Sequence, residues 1–125
     1  SDTDTVSLEG ALDLSGGNVN LDLSKFTNIE TIDISSLTLN NGDGTTAGKD
    51  LQISDTDIIN LTDSSDSNTA TLDITDNTQG LDVSLLNARV SGVGAFGTLQ
   101  GVSTGTTYEF DTNTDAIVDA ILTVQ

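Results

Sequence analysis

Short runs in which every second residue is apolar recur along this chain and constrain its fold more than any other feature. Val6 and Leu8 form one such run, and Leu81, Val83 and Leu85 form another, with clusters of Gly, Asn, Asp, Ser and Thr between the runs. Successive side chains of a β-strand point to opposite faces, so this period predicts strands with one buried face. A spacing of roughly ten residues from strand to strand is typical of a β-sandwich or a β-solenoid.

The pattern predicts a single all-β domain over residues 1–125, a short-stranded β-sandwich or β-solenoid-like fold with at most one or two short helical turns. Residues 115–124 fit either a strand or a helical period, and a short helix is also possible around residues 55–61. Glycines make the segment after residue 91 loop-like, with Phe96 and Leu99 as anchors on the core. Predicted strands lie at 6–8, 12–14, 19–23, 29–34, 37–39, 51–53, 58–61, 72–74, 81–85 and 108–110.

Twenty acidic residues against three basic ones give a formal net charge of −17. Self-repulsion of this size opposes a compact state unless cations or a salty exterior offset it. Such a charge is also typical of disordered chains, but those chains do not keep apolar residues at alternate positions over many segments. Lys25, Lys49 and Arg89 are the only basic residues, so we expect no binding to nucleic acid or anionic lipid, and no apolar run is long enough for membrane insertion.

Many acidic residues stand in pairs at the predicted turns, and Asp111 with Asp115 is one such pair. Carboxylates and nearby carbonyls can supply the oxygen ligands that calcium accepts. The alternative is that Asp, Asn and Ser populate β-turns because their side chains hydrogen-bond the local backbone. The pairs within residues 55–66 bracket one short run and could converge at one end of a sheet. The predicted calcium ligands are Asp55, Asp57, Asp63, Asp66, Asp73 and Asp76.

The residue inventory argues against an enzyme. The chain contains no Cys and no His, which removes thiolate nucleophiles, imidazole bases and the usual zinc sites. Two carboxylates could in principle hydrolyse a glycoside, but sugar enzymes usually stack their substrate on aromatic rings, and this chain has no Trp, one Tyr and three Phe. The absence of Cys in an acidic, Thr-rich and Gly-rich chain favours bacterial export to the cell exterior.

Several segments occur in a characteristic order, which ends in the aromatic pair Tyr108 and Phe110. They read LDLS at 21–24, NIETIDI at 28–34, DIINLTD at 57–63, ATLDI at 70–74 and LDVSL at 81–85. From about Asp4 to Val124 this order resembles the C-terminal region of large repeats-in-toxin (RTX) adhesins, which bacteria export by type I secretion, and crystalline surface-layer proteins carry similar segments. The calcium-binding nonapeptide repeat of that family is missing here, so the calcium prediction rests on isolated acidic turns.

The resemblance implies a module that caps a repeat solenoid, folds when it meets calcium outside the cell, and lies beside an uncleaved secretion signal. We therefore predict a non-catalytic, calcium-responsive structural module of a secreted bacterial surface or adhesion protein, with Ca²⁺ as its cofactor and an extracellular or cell-surface location. Its predicted partners are neighbouring domains of the same protein or identical subunits. The alternative is a self-assembling subunit of an S-layer or extracellular filament, joined by calcium bridges or by strand exchange through residues 116–125.

Overall fold

The computed structural model describes residues 3–42 and 49–125, and these residues form a nine-stranded sheet with short helical turns. The predicted all-β fold is confirmed. The helices are α1 (Asp55–Leu61) and α2 (Asn77–Gly80), and a 3-10 turn covers Ser64–Asp66. The strands are β1 (Thr5–Asp13), β2 (Val19–Asn20), β3 (Thr31–Asn40), β4 (Leu51–Ser54), β5 (Thr69–Asp73), β6 (Val83–Val90), β7 (Gly97–Gln100), β8 (Thr107–Phe110) and β9 (Ala120–Val124).

The strands form two parallel ladders, because successive strands from β1 to β6 belong alternately to one ladder and to the other. The first ladder runs β1, β3, β5 and β9, and the second runs β2, β4 and β6. Val19 aligns with Leu51, and Leu51 aligns with Val83, at equal intervals along the chain. Parallel neighbours require long crossover connections, and here those connections carry the chain from one ladder to the other. This arrangement corresponds to the solenoid-like form of the predicted fold.

Antiparallel strands join the two ladders in the C-terminal part of the chain. β8 pairs with β9 of the first ladder and with the second half of β6 in the other ladder. β7 lies on the opposite side of β6 from β8, since Ala88 aligns with both Gly97 and Phe110. Within the described residues, β1 and β2 are the two ends of the strand order. The β8–β9 hairpin is therefore the connection that makes one sheet of the two ladders.

Alternating side chains from both ladders form one connected hydrophobic core. Ile32 and Ile34 of β3 and Ile53 of β4 are fully buried, and Phe110 of β8 is the largest fully buried side chain. Burial of each such side chain contributes about 1.5–3 kcal/mol. The core is less complete at the ends of the strand order, where a cavity of about 300 Å³ lies between the two ladders and is lined by residues that include Leu8, Leu12, Val19, Leu21 and Leu51.

Two of the predicted turns lie inside longer strands. β1 continues through Gly10, which has a φ of +104°, and the register with β3 shifts between Ser7 and Glu9. The extra residue of this bulge lies in β3, because three steps from Asp33 to Ser36 face two steps from Ser7 to Glu9. Gly10 follows the shift, and β1 continues through it because glycine adopts a positive φ at little steric cost. β3 likewise joins the predicted strands at 29–34 and 37–39. The Asn- and Gly-rich sequence of residues 40–44 also predicts a turn, and this stretch lies partly outside the described residues.

The C-terminal segment is a strand, and the helical alternative for residues 115–124 is wrong. The residues Ala120, Leu122 and Val124 are buried, whereas Ile121 and Thr123 are half-buried. This alternation of every second residue is the period of a β-strand. β9 pairs with β5 on one side and with β8 on the other. Strand exchange through this segment would require its release from both neighbours.

The segment between β6 and β8 is held by contacts that differ in part from the predicted ones. Leu99 packs against the core as predicted. Phe96 instead lies beneath the guanidinium of Arg89, whose carbon is 4.3 Å from the ring centroid. Arg89 also forms an ion pair with Glu109 of β8 at 2.9 Å. A backbone hydrogen bond from Gly92 and the interaction with Arg89 hold the pKa of Glu109 below its usual value. These contacts join β6 and the turn that follows it to β8.

Candidate metal centre

The loop at residues 111–119 connects β8 to β9 and begins and ends with an aspartate. Asp111 follows β8 directly, and Asp119 immediately precedes β9. Phe110 and Ala120 are register partners in the antiparallel β8–β9 pair. The residues that flank this pair must then lie side by side at the mouth of the loop. The backbone confirms this closure, because the N–H of Asp119 donates to the carbonyl of Phe110 at 2.8 Å.

Local turns bring a third aspartate, Asp115, back toward the mouth of the loop. Thr114 and Ala116 on either side of it have φ values of +58° and +65°, a left-handed conformation that reverses the chain direction. Asp111 Oδ2 accepts the N–H of Ala116 at 2.8 Å, and Asp115 Oδ1 accepts the N–H of Ile117 at 2.9 Å. These two carboxylates thus accept backbone N–H groups of their own loop.

The three carboxylates form a compact cluster. One oxygen from each of Asp111, Asp115 and Asp119 lies within 4.8 Å of the other two. Asp111 is buried, Asp119 is half-buried and Asp115 is exposed, so the cluster opens to solvent on one side. Among the described residues the recorded ion pair is that of Arg89 with Glu109. No described basic side chain therefore forms an ion pair with the cluster, which could hold a metal ion.

Asp111 shows the most informative feature of the cluster. The residue retains 4% of its accessible surface, and its Oδ1 has no hydrogen-bond partner among the described residues. A buried polar atom without a partner costs about 1–3 kcal/mol, and more when it is charged. A cation that binds Oδ1 would remove this cost by supplying the missing partner.

Comparisons of the chain with family models, with curated protein sequences and with solved structures found no match. The helices in the described part of the chain are all too short or too polar to cross a membrane. The inference about function therefore depends on the chemistry of the loop.

Three of the predicted calcium ligands are engaged at the starts of helical turns. Asp57 accepts the N–H of Ser54 at 2.8 Å in a capping box at the start of α1. Asp63 caps the 3-10 turn by accepting the N–H of Ser65, and Asp76 caps α2 by accepting the N–H of Gln79. These contacts correspond to the alternative that the sequence left open, in which short acidic side chains stabilise local turns.

The other predicted ligands lie in separate places. Asp55 is buried in the first turn of α1, where its Oδ1 accepts a hydrogen bond from Asn87 at 3.2 Å. Asp66 ends the 3-10 turn, and Asp73 ends β5. Among the described side chains, the group of three acidic ligands contains none of the six predicted residues, and their role in calcium binding stays a prediction. The sequence had shown Asp111 and Asp115 as a pair and missed Asp119.

Asp73 offers a test of one predicted ligand. It lies beside Asp33 in the β3–β5 register, and burial together with the charge of Asp33 raises its pKa. A carboxyl whose pKa is raised on folding stabilises the protein at low pH, and this contribution is lost as the pH rises through the folded pKa. We expect Asp73→Asn to raise the free energy of unfolding at pH 7 by about 0.5 kcal/mol, the scale of a cross-strand like-charge pair.

The measurement is urea denaturation of wild type and variant at neutral and acidic pH, with Glu9→Gln on β1 as the matched control. The difference should vanish in acid, where the wild-type carboxyl is protonated. If Asp73 instead binds calcium, Asp73→Asn will lower stability in calcium, which would contradict the repulsion between the two carboxylates and support the sequence prediction.

Proposed function

We propose that this chain is a non-catalytic, calcium-responsive structural module of a secreted bacterial surface or adhesion protein. In this proposal Ca²⁺ binds to Asp111, Asp115 and Asp119 and fixes the hairpin that joins the two ladders. The observation that carries the proposal is that Asp111, one of three clustered carboxylates, has a buried Oδ1 with no partner among the described residues. Oxygen ligands of this kind suit hard divalent cations.

The spacing of polar residues in the loop favours calcium among such cations. An EF-hand loop supplies side-chain ligands from its first, third, fifth and ninth positions, a backbone carbonyl from the seventh, and a glycine at the sixth for a sharp turn. Counted from Asp111, these positions hold Asn113, Asp115 and Asp119, with Ile117 at the seventh and the left-handed Ala116 at the sixth. This spacing of polar residues is the feature of the sequence from which the site could have been predicted.

The loop departs from the EF-hand in ways that indicate weak binding. Strands flank it where an EF-hand has helices, and the twelfth position is Leu122, a buried residue of β9, where the EF-hand has a bidentate Glu. With fewer ligands we expect a dissociation constant of about 10⁻⁴–10⁻³ M, the range of extracellular calcium modules. Such a site fills in a calcium-rich exterior and stays empty in the cytosol.

The position of the hairpin explains how one ion can influence the whole fold. β8 and β9 connect β5 to β6, and therefore connect the first ladder to the second. An ion that binds only the folded loop stabilises the folded state by its binding free energy. It also neutralises part of a net charge of −17, whose self-repulsion opposes the compact state. The RTX-like order of segments supports export by type I secretion.

The test is thermal unfolding of the purified chain in calcium and in chelator. At a calcium concentration about 100-fold above the dissociation constant, the expected gain is about 2.7 kcal/mol, which raises the midpoint by about 10 °C for a domain of this size. Magnesium should give a smaller gain, since it demands near-octahedral geometry and retains its water. Equal midpoints in calcium and chelator would refute the proposal.

Sedimentation velocity of the same samples addresses the alternative, a self-assembling S-layer or filament subunit. The observation that favours it is the incomplete core beside β1 and β2, where the cavity of about 300 Å³ lies. A second copy could pair with β1, which is a nine-residue strand at one end of the sheet. A monomer in both conditions supports the structural module, and large species that form only in calcium support the subunit.

A further inference from the structure

Asn87 connects the candidate metal loop to the buried start of α1. Its carbonyl accepts the N–H of Asp111 at 2.9 Å, and its side-chain amide donates to Asp55 Oδ1 at 3.2 Å. Asp55 retains only 3% of its accessible surface. The two hydrogen bonds place Asn87 between two buried carboxylates, one in the metal cluster and one outside it.

The backbone of Asn87 departs from a regular strand. It has a φ of +58°, and the register between β6 and β7 shifts between Leu85 and Ala88. Glycine adopts this conformation at the lowest cost, while asparagine tolerates it and adds a side-chain amide. The backbone conformation of Asn87 therefore sets the position of its carbonyl. The hydrogen bond from its side-chain amide to Asp55 stabilises that conformation.

Asp111 depends on this carbonyl for its position. The hydrogen bond from its backbone N–H fixes the point at which the chain leaves β8 and enters the loop. The Asp111 carboxylate is attached to this part of the backbone by one short side chain. A shift of the Asn87 carbonyl would therefore move the carboxylate as well. Partners that orient metal ligands in this way usually change metal affinity by about 10–100-fold when they are removed.

We infer that Asn87 is a positioning residue for the calcium site, and that its hydrogen bond to Asp55 holds Asp111 in the geometry that binds the ion. This inference rests on the proposed function. It also gives Asp55 a role that differs from the predicted one, because Asp55 orients a ligand through Asn87 and does not contact the ion.

The test is calorimetric titration of calcium into the full chain carrying Asn87→Gly. Glycine keeps the left-handed backbone and the carbonyl but removes the amide, so we expect calcium affinity to fall about tenfold. The matched control is Asn28→Gly, because Asn28 is exposed in the connection before β3 and has a similar φ of +56°. The control should bind calcium as the wild type does.

A merely structural role for Asn87 would lower the midpoint of unfolding equally in calcium and in chelator and would leave the affinity unchanged. Unchanged affinity in Asn87→Gly, with calcium bound by the wild type, overturns the inference and leaves the proposed function standing. A wild type that does not bind calcium overturns both.

A second pair of variants covers the case in which Asn87→Gly does not fold. Asp55→Asn keeps an acceptor oxygen for the Asn87 amide and should retain calcium affinity, whereas Asp55→Ala removes the acceptor and should weaken binding about tenfold. Equal affinities for these two variants would overturn the inference.

Discussion

Replacement of Asp111 by Asn is expected to abolish most of the stabilisation by calcium and, in chelator, to make the variant more stable than the wild type. The first effect follows because the amide carries no charge and the ion loses its buried ligand. At calcium about 100-fold above the dissociation constant, the wild type gains about 2.7 kcal/mol, and most of this gain should disappear. The readout is the free energy of unfolding from urea titrations in calcium and in chelator.

The second effect has its origin in the ion-free protein. There, the wild type buries a carboxylate with Oδ1 unpaired among the described residues, at a cost of about 1–3 kcal/mol or more. A neutral amide costs less to bury than a charge, and its oxygen can still accept the N–H of Ala116. The stability order of wild type and variant should therefore reverse between chelator and calcium, a reversal that general damage to the fold does not produce.

Asp63→Asn is the control, because the Asp63 carboxylate, like that of Asp111, accepts a backbone N–H of a local turn, here that of Ser65. It lies outside the cluster and was a predicted ligand, so its variant should keep the calcium response. If Asp63→Asn loses the response and Asp111→Asn keeps it, the ion binds at the acidic turns around α1 and the loop 111–119 is not the site.

Local patterns in the sequence predicted the strands and the acidic turns, but the cluster depends on a contact that no local pattern records. Asp111 and Asp119 meet because Phe110 and Ala120 are partners across a hairpin. The apolar period of residues 115–124 suited both a helix and a strand, so the sequence did not predict this register. Asp119 lies within this predicted segment and was therefore not recognised as a ligand.

The predicted ligands were chosen by residue type, and caps and metal sites use the same types. Asp63 and Asp76 are followed by helical turns whose first N–H groups need acceptors. Asp57 lies in the first turn of α1 and accepts the N–H of Ser54, the residue that caps this helix. A carboxylate that satisfies the backbone and one that binds calcium look alike in sequence. The choice between sandwich and solenoid was open for a related reason, since both have short strands at similar spacing and differ in whether neighbours pair in parallel.

Replacement of Phe110 by Ala is expected to cost about 3–5 kcal/mol of stability, as for other fully buried aromatic residues. Phe110 is fully buried in β8 and aligns with Ala88 of β6 and Ala120 of β9. Its ring therefore belongs to the core at the junction of the two ladders, beside the small residues Ala88 and Ala120. The chain has few aromatic residues to compensate, since it contains three Phe, one Tyr and no Trp.

The loss can be followed through the fluorescence of Tyr108, which is the only Tyr and is buried in the same strand. Phe26→Ala is the control, because Phe26 is 37% exposed and its replacement should cost about 1 kcal/mol, an average effect for a substitution. A cost for Phe110→Ala no larger than that of the control would contradict the placement of Phe110 in the core.

Calcium should offset part of this loss without removing it. The contact that closes the metal loop uses the backbone carbonyl of Phe110, which Phe110→Ala retains, so a folded variant should still bind the ion. Its gain of about 2.7 kcal/mol at saturating calcium is smaller than the expected loss of about 3–5 kcal/mol. Calcium-dependent rescue of Phe110→Ala, together with the absence of rescue in Asp111→Asn, would separate the packing of the hairpin from the ion that fixes its loop.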